Sequence, residues 1–398
     1  MKLIIKNDNE IDKDIEIILK YNLSNTENND IMFNGIKQLK NEINNLKEFY
    51  NKINKDLLIK KKEQEKEGPK DIKYLCDISS ESYAWVNLEN TFTVFKSINN
   101  IFYLIYETSH KTIICYDLNN QKKINELKNT NKEYITNFKH YSDEINKRDL
   151  VMSISRNENE IKVWNANNWE NLLNIKNINN VGYIYSACFY KEKDEIFIIT
   201  SNRNMHGDPE AIKVFNFNGQ KIKEINNSRD HTFFIDVYFD KILLKNYIIT
   251  GNFGYVKSYD YSKNGLYYKY DDNKCLTNER FHCSIIIKDN KKIVKLIESG
   301  GDGYIRIWNF HSQSLLNKIK VGESLYSICL WNDNYLFVGC KDTTIKLIEI
   351  NNGLIAKSLT GHHNWVLSLK KFNHHLYGEC LLSQEWGESK IKLWIIKK

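Results

Sequence analysis

A short segment of the form I-x-V-aromatic-[D/N] recurs through the chain, and its spacing leaves few folds open. The copies read IICYDL, IKVWNA, IKVFNF, VKSYDY, IRIWNF, IKLIEI and IKLWII. Their aromatic (or replacement) positions are Tyr116, Trp164, Phe215, Tyr259, Trp308, Ile348 and Trp394, 40 to 51 residues apart and about 46 on average. Self-similarity at such a period marks an array whose units bury their faces against one another. Each copy follows an apolar run (FYLIYE, LVMSIS, YLFVGC and their like), and a further β-branched or aromatic segment precedes that run. A more polar stretch, such as KKINELK or LLNKIK, comes after it. Asn, Asp, Gly and Ser separate the segments, as they must in a chain with only 2 prolines. Four strands per unit and seven units predict an all-β, seven-bladed β-propeller over residues 71–398.

The last unit reaches Lys398 without a fourth strand. The segment SYAWVNL (82–88) alternates as a strand should, so it is expected to complete the seventh blade and tie the two ends together. Closure of that kind removes an open sheet edge.

Ahead of the strands lies a different period. Ile36, Leu39, Ile43, Leu46, Tyr50, Ile53 and Leu57 alternate spacings of three and four, the seam of a coiled coil, and Gly68-Pro69 stops the helix. The expected organisation is therefore a short helix and connector over 1–30, a coiled-coil helix over 31–70, and the propeller over 71–398. So short a coil is marginal alone. It needs a second copy of itself, a helix of another protein, or its own propeller to cover the seam.

Composition excludes several classes. No uncharged apolar run approaches the ~18 residues of a membrane-spanning helix. The N-terminus interrupts its apolar residues with charges, unlike a signal peptide, and the expectation is a cytoplasmic protein, with the nucleus left open. The 8 cysteines never form C-x-x-C and read as reduced thiols. The net charge of +7 is thinly spread, and Lys60-Lys61-Lys62 is followed at once by Glu63, Glu65 and Glu67, so nothing here calls for nucleic acid.

The repeats resemble the WD-repeat family, most fully in ESGGDGYIRIWNF (298–310) and in the last unit with its Gly361-His362 and Trp394. The layout, a helix ahead of seven blades, is similar to that of G-protein β subunits. The resemblance implies a buried network of His, Ser or Thr, Asp and Trp in a complete repeat. Carried over, it assigns His362, Ser383 and Trp394 in the last unit, with Glu388 in the place of the acid. It assigns Ser299, Asp302 and Trp308 in the fifth unit and Asp342 in the sixth, and it leaves the other blades to apolar packing.

No P-loop, G-x-G-x-x-G, G-x-S-x-G or H-E-x-x-H occurs, and acidic residues do not repeat at equivalent positions, so neither catalytic residues nor a cofactor are assigned. The pairs His362-His363 and His374-His375, with Cys380, raise a metal site. The family reading places His362 in the network and His374-His375 in a solvent-facing turn, so no metal is assigned. One feature does repeat at a rim. Before the first strand of successive blades stand Tyr134, Tyr183, Phe233, Phe281, Ser324 and Trp365, and large rings at a rim serve either as binding anchors or as covers for the blade ends. A basic rim of Lys341, Lys346, Lys390 and Lys392 lies on the later blades.

The expected function is a non-enzymatic interaction scaffold, its propeller face taking a peptide or protein and its N-terminal helix pairing with itself or a partner. Two alternatives are a propeller that binds phosphoinositide or RNA, although no Arg-Arg pair occurs, and a substrate adaptor of a ubiquitin ligase, although no F-box-like segment precedes the blades.

Overall fold

The computed structural model describes residues 68–398 except 70, 80–82, 85–90, 129, 131–132, 156–158, 177, 179–182, 202–210, 227, 273–279, 289–292, 389 and 398, together with three single positions nearer the N-terminus. The chain divides into a unit of residues 1–67 and a unit of residues 68–398. In the first, Asn44, Lys47 and Glu48 are described and are helical. The heptad residues Ile36, Leu39, Ile43, Leu46, Tyr50, Ile53 and Leu57 lie outside the described residues.

The second unit folds into seven four-stranded antiparallel sheets. Blade 1 comprises Phe92–Lys96, Phe102–Glu107, Ile113–Asp117 and Lys122–Leu127. Blades 2 to 6 repeat the pattern over 135–175, 187–224, 234–270, 281–320 and 325–359. The first strands of successive blades neighbour one another from blade 1 round to blade 7 and back to blade 1, so these strands ring the axis and the circle is complete. Seven apolar clusters fill the seven gaps between adjacent blades. The second strands are sandwiched on both sides; Tyr335–Cys340 is buried at every position. That explains the continuous apolar runs in the sequence, because a strand covered on both faces has no reason to alternate.

The seventh blade corrects one expectation. Its sheet runs in the order Asp71–Ser79, Ile391–Lys397, Gly378–Glu385, Val366–His374. The chain is closed by 71–79 and not by 82–88; within the latter segment Tyr83 and Ala84 make a two-residue pairing with Gly387 and Glu388. The physical reason lies in the register. Tyr74 pairs with Trp394 and Cys76 with Leu393, leaving Leu75 in a bulge. A bulge shifts the side-chain alternation by one, so DIKYLCDIS does not look like a strand to a period-2 search.

The same bulge recurs in every blade. Opposite the third-strand position that holds Tyr116, Trp164, Phe215, Tyr259, Trp308 or Ile348, the outer strand skips one residue: Ile124, Leu172, Ile222, Tyr267, Leu316 and Ala356 respectively. An outer strand exposes unpaired backbone groups, and a bulge twists it so that it pairs poorly with another chain. At the tight turn of blade 5, Gly303 has φ +79° and a Cβ there would lie 1.9 Å from the Gly322 carbonyl oxygen, so the Asp302-Gly303 pair is a steric requirement of that turn.

Candidate functional site

Antiparallel order fixes which loops share a face. The connectors into each first strand and the turns between second and third strands lie on one face; the turns between first and second strands lie on the other. The rim residues belong to the former, called here the entry face.

Around its axis the rim rings are not equivalent. Phe281 is buried beneath the Arg306 guanidinium, 5.2 Å from its ring centroid, and Phe233 is buried against Tyr185 and Phe253 at 5.7 and 4.7 Å. These two are covers of blade ends and present no ligand face. Tyr134 is half-buried and donates from its hydroxyl to the Ser109 carbonyl at 3.0 Å; Tyr183 is half-buried against the cluster of Tyr185 and Phe233. The Ser324 carbonyl accepts from the Lys341 backbone N–H at 3.0 Å.

Trp365 is the centre of a larger feature. Its ring stacks on Tyr326 at 5.5 Å and 13° and on Trp386 at 5.1 Å and 26°, and the Lys341 ammonium lies 6.0 Å from its centroid. Tyr326 is the residue skipped where Leu325 and Ser327 pair with Cys340 and Gly339, and Trp386 begins the turn after the second strand of blade 7, its N–H donating to the Trp365 carbonyl at 2.9 Å. Three rings from two blades thus form one stack beside the axis, with Trp386 at its exposed end. Tyr326 and Trp386 were not among the sequence candidates. Tyr326 sits one residue inside its strand and Trp386 in a turn, so neither falls at the repeated rim position.

The four basic rim residues are engaged. Lys346 bonds Asp342 at 2.8 Å and the Val321 carbonyl at 2.9 Å, Lys390 and Lys392 reach Asp77 at 3.0 and 3.4 Å, and Lys341 reaches Glu323 at 3.4 Å. Asp342 also takes the Thr344 N–H at 3.2 Å, as a turn aspartate does.

The network residues divide similarly. In blade 7 the Trp394 Nε1–H donates to Ser383 Oγ at 2.7 Å, and Ser383 Oγ lies 2.7 Å from His362 Nε2. The acid beside His362 is Glu385, 3.3 Å from Nδ1, and it accepts the backbone N–H of His363 and Asn364 at 2.5 and 2.8 Å. Burial works to raise the Glu385 carboxyl, but the His362 ring and these two N–H groups outweigh it and hold the pKa at about 2. Glu388, expected in that role, instead lies in the short pairing with Tyr83.

In blade 5 the assigned residues do not converge. Trp308 Nε1 donates to Glu298 at 3.1 Å, whereas Ser299 Oγ lies 2.9 Å from Cys283 Sγ and Asp302 is paired with Arg306. The register explains it. In each blade with a tryptophan, the acceptor stands two residues beyond the tryptophan's cross-strand partner: Ser153 after Val151, Glu298 after Leu296, Ser383 after Leu381. Ser299 is one residue further and faces the other side. Trp164 in blade 2, expected to rest on apolar packing alone, donates to Ser153 Oγ at 3.1 Å.

His374 also departs from expectation. It is buried in blade 7, its Nε2 3.0 Å from the Leu118 carbonyl oxygen, with Nδ1 accepting the Leu376 N–H at 3.1 Å. Burial, offset in part by that carbonyl, lowers its pKa. Both ring nitrogens are engaged with backbone, which is a structural use of the side chain. Among the described residues no group of three or more His, Cys, Asp or Glu is arranged to hold a metal.

No family model matches the chain. Among curated proteins it is similar to Myosin heavy chain kinase C of Dictyostelium discoideum, 24% identical over 175 residues, which is 43% of this chain and 20% of that protein. It is also similar to the U3 small nucleolar RNA-associated protein 21 homolog of Schizosaccharomyces pombe, 27% identical over 74 residues, 18% of this chain and 8% of that protein. The chain thus spans a fifth or less of the length of these relatives. With seven four-stranded blades around one axis, and the His362–Ser383–Trp394 network in the last of them, the chain is a seven-bladed β-propeller consistent with the WD-repeat family.

Proposed function

We propose that this protein is a non-enzymatic interaction scaffold whose entry face takes a peptide or protein at the Tyr326–Trp365–Trp386 stack. What carries the reading is that stack: three rings, two of them indoles, held by two rigid blades, with Trp386 36% exposed at the outer end. Tyr326 is buried and backs the stack, while Trp386 and the half-buried Trp365 offer the apolar area. Rings fixed in this way lose little conformational entropy on binding, the usual property of binding hot spots. Lys341 beside the stack favours a ligand with a carboxylate or carbonyl nearby. The N-terminal heptad supplies a second mode of association, pairing with another copy or with a partner's helix.

The test is a cross-linked pull-down with the full chain, with residues 68–398, and with Trp386→Ala and Leu46→Pro proteins. Propeller partners persist in 68–398 and fall away with Trp386→Ala; helix partners fall away in 68–398 and with Leu46→Pro. Capture that is indifferent to Trp386→Ala removes the stack from the binding face. Tyr326 and the half-buried Trp365 stay in place in that variant, so its melting temperature should stay within a degree or two of the parent.

A further inference from the structure

The opposite face, formed by the turns between first and second strands, carries exposed aliphatic side chains where turns are usually polar. Ile98 in blade 1, Ile145 in blade 2 and Leu376 in blade 7 are exposed. Blade 4 goes furthest: in the turn between Phe234–Asp240 and Lys245–Gly251, Ile242, Leu243 and Leu244 are 62%, 50% and 75% exposed, and Phe239 at the end of the preceding strand is 46% exposed. Each of these tips has a basic neighbour. Lys96 precedes Ile98, Lys147 follows Ile145, Lys241 precedes the blade 4 tip and Lys245, paired with Asp260 at 3.4 Å, follows it, and His375 precedes Leu376. In these four turns Asp143 and Asp240 are buried and Glu144 is exposed, whereas the blade 3 turn on the same face exposes Glu192, Asp194 and Glu195 beside Lys191 and Lys193, so the basic character is local to the aliphatic tips.

The blade 4 tip is built to project. Asp240 Oδ1 accepts the N–H groups of Ile242 and Leu243 at 2.8 and 3.1 Å, and its other oxygen lies 2.8 Å from His311 Nε2 of blade 5. Leu244 is held at φ 52°, a conformation that glycine or asparagine adopts at lower cost. Lys147 and Lys193 have φ 49° and 54° in the corresponding turns of blades 2 and 3, so the conformation belongs to the turn. What sets blade 4 apart is an aliphatic residue there, three-quarters exposed where the others carry a lysine.

We propose that this face is a peripheral membrane-docking surface, in which the Ile242–Leu244 tip enters the headgroup region of an anionic bilayer while Lys241 beside it meets lipid phosphates. A convex tip needs a deformable acceptor, and one face of a propeller sets its several turns side by side against a flat one. Aliphatic residues ringed by snorkelling lysines match the chemistry of that interface. No described helix is long and apolar enough to cross a membrane.

The experiment is co-sedimentation of the full chain with vesicles of phosphatidylcholine alone or mixed with phosphatidylserine, at low and high salt. Binding is expected to phosphatidylserine vesicles, weakening with salt. Leu243→Asp combined with Leu244→Asp should weaken it on the order of tenfold or more, and Lys241→Glu several-fold on the anionic vesicles. Leu244→Gly should also weaken it while keeping or raising the melting temperature, which separates lost docking from lost folding. Trp386→Ala, on the opposite face, should bind as the parent does. Failure of the full chain to sediment with phosphatidylserine vesicles at low salt, or tip variants that sediment like the parent, overturns the proposal and leaves the tip as a contact for another protein.

Discussion

At the scale of single residues, the buried polar groups decide most. Ser383 serves two partners, Trp394 Nε1 and His362 Nε2, while Ser153 serves Trp164 alone. Ser383→Ala therefore leaves two buried groups unpaired and should cost about 2–4 kcal/mol, against about 1–2 kcal/mol for Ser153→Ala; equilibrium denaturation that reverses this order contradicts the assignment of acceptors. Two carboxyls should have opposite pH signatures. Glu385, held at about 2, stabilises the fold above its ordinary 4.5, and that contribution is lost as pH falls toward 2. Glu298 is the reverse: burial, against the counteracting charge of Arg306 and the Trp308 hydrogen bond, pushes its carboxyl up to about 8, and one of its oxygens has no hydrogen-bond partner. The folded state keeps a proton that the unfolded chain releases above 4.5, so stability declines as pH rises from there to about 8. In Glu298→Gln that decline disappears, and the melting temperature of the variant should gain on the parent's across this window. A difference that does not vary with pH would show Glu298 ionised throughout. The sequence disclosed His362, Ser383 and Trp394 because they match a motif. It misplaced the fifth-blade acceptor by one residue, because the side a strand residue faces depends on register that only the paired neighbour sets.

At the scale of elements, the outer strands are the informative ones. All seven carry a bulge at one register, including Asp71–Ser79. In that strand Ile72 is buried in the cluster that also holds Trp394, whereas Leu75 occupies the bulge and is exposed. Ile72→Ala should lower stability by about 2 kcal/mol or more, and Leu75→Asp by less than about 0.5 kcal/mol. Equal effects would mean that 71–79 does not close the blade. Inner strands were legible from their apolar runs and turn residues. The closing strand was not, because its bulge hides the alternation and because the strand it pairs with lies more than 300 residues away.

At the scale of the molecule, each blade buries its two sides only against its neighbours, so the ring is a single cooperative unit. Residues 68–398 should therefore melt in one sharp transition, and a chain beginning at residue 80 should melt lower and more broadly by circular dichroism, since blade 7 loses its outer strand. Identical transitions would show that the circle holds without 71–79. The number of blades and their four-stranded form followed from the sequence alone, because a repeating period is a local property of the chain, whereas His362, Ser383 and Trp394 were assigned through a family resemblance. Which segment closes the circle, which acid meets His362, that Tyr326, Trp365 and Trp386 meet in one stack, and that aliphatic turns share a face were settled only by the tertiary structure. Each depends on residues distant in the chain being brought to one place, and register and closure, not composition, determine which ones meet.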